Sequence, residues 1–167
     1  MHGRLAAVSH PSLGLPPRDH TAGDPASARA IIEATARLRD RTLDAALHDD
    51  PTMRERYDDI GLQGLRSDLE AFIDRLAAAV SSGGPDVMAN FAEMIAVRYR
   101  KRHVPMDDVI LLCESLRATA SAVVPPSAAG WIDPAIDEAI RVFRWHRRLA
   151  GDARKRNPIL AFFYKGA

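Results

Sequence analysis

Apolar positions recur at steps of three and four along most of this chain, the period of an α-helix with one buried face. The strongest stripe is Leu62, Leu65, Leu69, Phe72, Ile73, Leu76 and Val80. It predicts a helix over 62–81, closed by Ser81-Ser82-Gly83-Gly84. Upstream, Ile31, Ile32, Thr35, Leu38, Leu43, Ala46 and Leu47 predict a single helix running from Asp24-Pro25 to Asp49. An Asp at a helix start accepts orphan N–H groups, and a Pro just after it has no N–H to leave unsatisfied. Pro51 disfavours helix in the residue before it and so ends this element. A short helix over 52–60 follows, with Gly61 as its stop.

The second half repeats the pattern. Pro85 opens a helix whose face reads Val87, Phe91, Met94, Ile95 and Tyr99. It closes in Arg98-Tyr99-Arg100-Lys101-Arg102-His103, where cations oppose the negative end of the helix dipole. Pro105, Asp107 and Asp108 then suit the start of the next helix, where negative charge is favoured. Its stripe is Val109, Leu112, Cys113, Leu116, Ala120 and Val123, ending at Pro125-Pro126. A loop over 124–130 leads to Asp133-Pro134, which repeats the cap-and-proline signal and opens the last long helix. Ile136, Ile140, Phe143 and Arg147 share one face of it, with Ala139, Val142 and His146 alongside. The fold class is therefore all-α: a single compact domain over 24–156, globin-like or an irregular bundle of five to six helices. Residues 1–23, rich in Pro and Gly, read as a flexible N-terminal arm, and 157–167 as an apolar C-terminal tail.

Composition narrows the functional classes. A chain of 167 residues suits one domain. Cys113 is the only cysteine, so no internal disulfide forms and a cytoplasmic setting is expected. Its place in an apolar stripe marks it as a buried, inert thiol. No apolar run reaches the ~18–20 residues of a membrane span, so no membrane partner is expected. Met88, Met94 and Met106 read as core filler. The net charge is only +1, but it is split. Residues 24–96 carry 8 Arg against 14 Asp/Glu, while 97–167 carry 13 Lys/Arg against 7 Asp/Glu. Complementarity within or between copies explains this as well as an anionic ligand does. Nucleic acid is not the expected partner, because aromatic interleaving among the cations of the last helix is weak.

No phosphate-binding glycine loop, CxxC, HExxH or GxSxG motif is present. The expectation is a protein that is not an enzyme and has no resident metal or cofactor. Tyr57, Asp58 and Asp59 read as charged surface, since adjacent helical side chains diverge by ~100°. His2, His10 and His20 lack the fixed spacing of a metal site. The candidate ligand-binding residues are Arg98, Arg102, His103 and His146. The candidate partner interface is Trp145 with Ile159, Leu160, Phe162, Phe163 and Tyr164, an apolar run that needs cover.

Two segments carry a family resemblance. They are Leu69-Glu70-Ala71-Phe72-Ile73-Asp74-Arg75-Leu76-Ala77, and the Arg-rich turn leading into Val104-Pro105-Met106-Asp107-Asp108-Val109-Ile110-Leu111-Leu112 and Glu114-Ser115-Leu116-Arg117. Together they resemble the N-terminal sensor domains of the RsbR/RsbRD stress-signalling family, over about residues 30–150 of the chain. The resemblance implies a globin-like or bundle-like helical domain without haem or catalysis. It also implies dimerisation and signal output through the last helix. No effector module follows that helix here, so the expectation is a stand-alone regulatory or sensor domain acting through protein contacts, as a homodimer. One alternative is a helical protein holding haem, another tetrapyrrole or a small apolar molecule, with His103 or His146 as ligand. A further alternative is nucleic-acid binding by the basic C-terminal helix.

Overall fold

The computed structural model describes residues 23–150. Residues 1–22 of the N-terminal arm and the whole C-terminal tail lie outside these residues, among them the interface candidates Ile159, Leu160, Phe162, Phe163 and Tyr164. The fold is all-α. Among the described residues there are seven α-helices, one short 3-10 turn and no strand. The helices are α1 (Pro25–Glu33), α2 (Thr35–Asp49), α3 (Met53–Arg56), α4 (Asp59–Ser82), α5 (Asp86–Lys101), α6 (Met106–Ser121) and α7 (Ala129–Ala150).

Asp24 caps α1 as its chemistry requires: its carboxylate accepts the Ser27 N–H at 3.0 Å and the Ser27 hydroxyl at 2.6 Å. The Asp24 N–H in turn donates to the Val80 carbonyl at 2.8 Å, pinning the start of α1 to the end of α4. Gly23 makes this approach possible, because a Cβ there would sit 2.1 Å from the Ser81 carbonyl oxygen. The single helix expected over 24–49 is broken at Ala34. The Thr35 hydroxyl donates to the Ile32 carbonyl at 2.7 Å, a back-bond that bends helices. The break lets α1 lie along α4 while α2 packs on both α4 and α6. One consequence is that Ile32, expected in the core, is exposed.

The helix expected over 52–60 shrinks to the four residues of α3. Gly61 is not a stop but lies inside α4, where its N–H donates to the Asp58 cap at 2.7 Å. Gly83 ends α4 in the left-handed conformation (φ +67°), and a Cβ there would lie 3.1 Å from the Trp131 ring. The turn after α5 uses the same device with a different residue. His103 adopts φ +57° while Val104 N–H reaches back to the Tyr99 carbonyl at 2.9 Å. A left-handed residue followed by such a bond is the usual helix stop, normally built on glycine. The last helix starts at Ala129, four residues before Asp133, straight out of the 3-10 turn Pro126–Ala128. Pro134 lies inside α7, in its second turn, where it removes one backbone donor.

α7 packs along both α5 and α6 and also touches α4. Phe72, Phe91, Tyr99 and Phe143 meet at this centre, with Phe72 and Phe91 edge to face at 5.0 Å between ring centroids. A smaller second core joins α2, α3, α4 and α6 through Leu43, Leu47, Met53, Leu65, Leu69 and Leu112. Cys113 is buried, as its stripe implied. Met88 and Met106 are core residues too, but Met94 is exposed. On α5, Met88 and Ala92 fill the inward positions that the Phe91-to-Met94 step had suggested for Met94.

Candidate functional site

Two places gather side chains that do more than fill space. The first is Asp108, in the first turn of α6 and fully buried. Buried carboxylates need charge and hydrogen-bond partners. The Arg56 guanidinium supplies both, donating from Nε at 3.1 Å and Nη2 at 2.9 Å. The Tyr57 hydroxyl donates at 2.8 Å. Arg56 also reaches Asp50 at 2.8 Å and the Thr52 hydroxyl at 2.6 Å. The α2–α3 turn, α3 and α6 are thereby tied together. Beside the cluster an open groove of about 700 Å³ has Asp49, Asp50, Asp107 and Glu114 on its wall, with Arg56 and Arg144 among them. None of Arg56, Tyr57 and Asp108 had been read as a partner of the others. Asp108 was read as first-turn charge and Tyr57 as surface. Only the packing of the second core brings them within bonding distance.

The second place is the seam between α5 and α7. His146 is buried, and its Nε2 lies 2.8 Å from Glu93 Oε2 across the seam. Its Nδ1 is buried with no hydrogen-bond partner among the described residues. Large apolar side chains lie exposed on both of these helices. Met94 and Val97 follow Glu93 on α5, and Trp145 and Leu149 flank His146 on α7. All four are 46 to 58% exposed. The Arg148 guanidinium stacks over the Trp145 ring at 5.6 Å from its centroid.

The four candidate ligand residues do not converge. Arg102 leans back over α4, pairing with Asp68 at 3.1 Å and lying 6.0 Å from the Tyr99 ring centroid. Gly64 leaves room for it, since a Cβ there would sit 2.7 Å from its Nη2. Arg98 and His103 are exposed, and His103 serves as the helix stop. His146 is committed to Glu93. Two further groups are strongly perturbed. Burial, and then the nearby Asp68 carboxylate, pushes the Tyr99 phenol well above its ordinary 10.0. Burial likewise pushes the Cys113 thiol well above 9.0, with Glu114 adding to the effect. Such a thiol is a poor nucleophile. Among the described residues no group of three His, Cys, Asp or Glu side chains is arranged to hold a metal ion. No helix among them is long and apolar enough to cross a membrane.

Family models, curated proteins and solved structures contain no match to this chain.

Proposed function

We propose that this chain is a non-enzymatic regulatory or sensor domain, globin-like in arrangement, that acts through protein–protein contacts at the α5/α7 face. The observation that carries the reading is the set of half-exposed large apolar side chains on α5 and α7: Met94, Val97, Trp145 and Leu149. Large apolar side chains left exposed on neighbouring helices mark an interaction site, and Trp, Met and Arg are the side chains enriched in such sites. The resemblance to the RsbR/RsbRD sensor domains supports the same reading, since output there passes through the last helix, and α7 is the last helix among the described residues. The homodimer belongs to the proposal as a separate contact, made through the apolar run from Ile159 to Tyr164. Light scattering on the full chain and on a chain truncated at Asn157 tests that contact. The full chain is expected to run as a dimer and the truncated chain as a monomer. A monomer in both cases removes the dimer from the proposal.

A further inference from the structure

The geometry points to an acidic, apolar-anchored helix of a partner protein as the occupant of the α5/α7 face. This rests on the functional reading above and specifies its partner. Four observations set the chemistry. The 2.8 Å contact between His146 and Glu93 fixes where the two helices meet. Val97 stands one turn beyond Glu93 on one side of the seam, with Met94 further round α5, and Trp145 and Leu149 stand four apart on the other. The latter spacing gives α7 a short apolar ridge at its exposed edge. A shallow seam edged by such a ridge is the form that takes an amphipathic helix, read by anchors at i, i+3, i+4 and i+7.

The rim decides the charge of the occupant. Lys101 lies one turn beyond Val97, Arg98 is next to Val97 on the neighbouring side of α5, and Arg148 stacks on Trp145. All three are exposed, and none makes an ion pair among the described residues. Arg141, one turn before Trp145, is held by Glu138 at 2.7 Å. On the seam itself, the Glu93 carboxylate faces His146. The rim therefore offers uncompensated positive charge around an apolar centre, which steers a negative partner and repels a positive one. A second copy of the same face is disfavoured by the same charges, because a two-fold interface sets like patch against like patch. A protein fits better than a lipid surface, since two of the three unpaired rim cations are Arg and the anchors include Trp.

The test uses the full chain and two helical peptides with identical Leu and Trp anchors, one flanked by Glu and one by Lys. Binding is read by calorimetry for wild type, for Trp145→Ala and for Arg98→Glu/Lys101→Glu/Arg148→Glu. Circular dichroism confirms that each variant is folded. The expected result is binding of the Glu peptide alone, weakened at least ~10-fold by Trp145→Ala. Charge reversal is expected to transfer the preference to the Lys peptide. Equal binding of both peptides, no binding at ~1 mM, or no effect of Trp145→Ala overturns the inference. If the wild type instead self-associates and Trp145→Ala makes it monomeric, the face binds a second copy. The reading as a protein-contact surface then stands and the acidic partner falls. If wild type sediments with phosphatidylserine vesicles and Trp145→Ala does not, both fall.

Discussion

Replacing Asp108 by Asn keeps its shape and removes its charge, and the structure sets the consequence. The wild-type carboxylate is fully buried and accepts two bonds from Arg56 and one from Tyr57. Breaking a buried ion pair by removing one partner costs ~3–5 kcal/mol when the other charge is stranded. Arg56 is not stranded here: its side chain is 26% exposed and it keeps Asp50 at 2.8 Å. An Asn oxygen also still accepts one donor. The expected cost is therefore lower, ~2–3 kcal/mol, close to the worth of one or two charge-assisted hydrogen bonds. For a domain of this size that lowers Tm by roughly 4–12 °C. Asp107→Asn is the control. Asp107 pairs with Arg147 at 2.9 Å at the surface, and such pairs are worth ~1 kcal/mol or less. Urea unfolding followed by circular dichroism measures both. If Asp108→Asn stays within ~0.5 kcal/mol of wild type, or costs no more than Asp107→Asn, the network does not hold α3 and α6 together.

Three more outcomes follow from named groups. The folded state holds the Tyr99 and Cys113 protons more tightly than the unfolded chain does, because burial raises both from 10.0 and 9.0. Their contribution to stability is therefore complete below about pH 9 and is lost as pH rises above those ordinary values. Unfolding midpoints measured from pH 7 to 11 are expected to fall on the alkaline side, and to fall less in Tyr99→Phe. At neutral pH Tyr99→Phe is expected to be neutral or slightly stabilising, since among the described residues the buried hydroxyl makes no well-formed hydrogen bond, Asp68 being near but not in bonding geometry. Gly83→Ala is expected to cost at least ~1 kcal/mol, through positive φ and the Trp131 contact, whereas His103→Gly at the equivalent stop is expected to gain ~0.5–1 kcal/mol. Thermal melts of the two variants check both signs.

Much of the helical pattern was legible because it depends on local rules. The Asp24-Pro25 start, the stripe of α4, the Gly83 stop and the Pro105 start all rest on neighbours within one or two turns. The break at Ala34 did not show, because neither Gly nor Pro marks it and Thr35 had been placed on the apolar face. Gly61 was misread for the opposite reason: a residue type common at stops sits here in a first turn, supplying an N–H to Asp58. The start of α7 was placed late because Asp133-Pro134 copies a true start. The Asp108 cluster was out of reach, since Arg56 lies 52 residues away and meets Asp108 only through packing of the second core. At the α5/α7 face, Trp145 had been named from its surroundings in sequence. Met94 had been assigned to the core, because a three-residue step from Phe91 fits either edge of a wide apolar stripe.

The central claim is that Trp145 sits in a contact surface for an acidic helical partner, and its own fluorescence reports on that surface. With half of its surface exposed, Trp145 is expected to be readily quenched by acrylamide in the free chain. In a Trp131→Phe chain, adding a Glu-flanked peptide with Phe in place of its Trp anchor is expected to shift emission to the blue and reduce quenching, with no such change for the matching Lys-flanked peptide. Unchanged Trp145 quenching when the peptide is bound, or the same change with either peptide, contradicts the account.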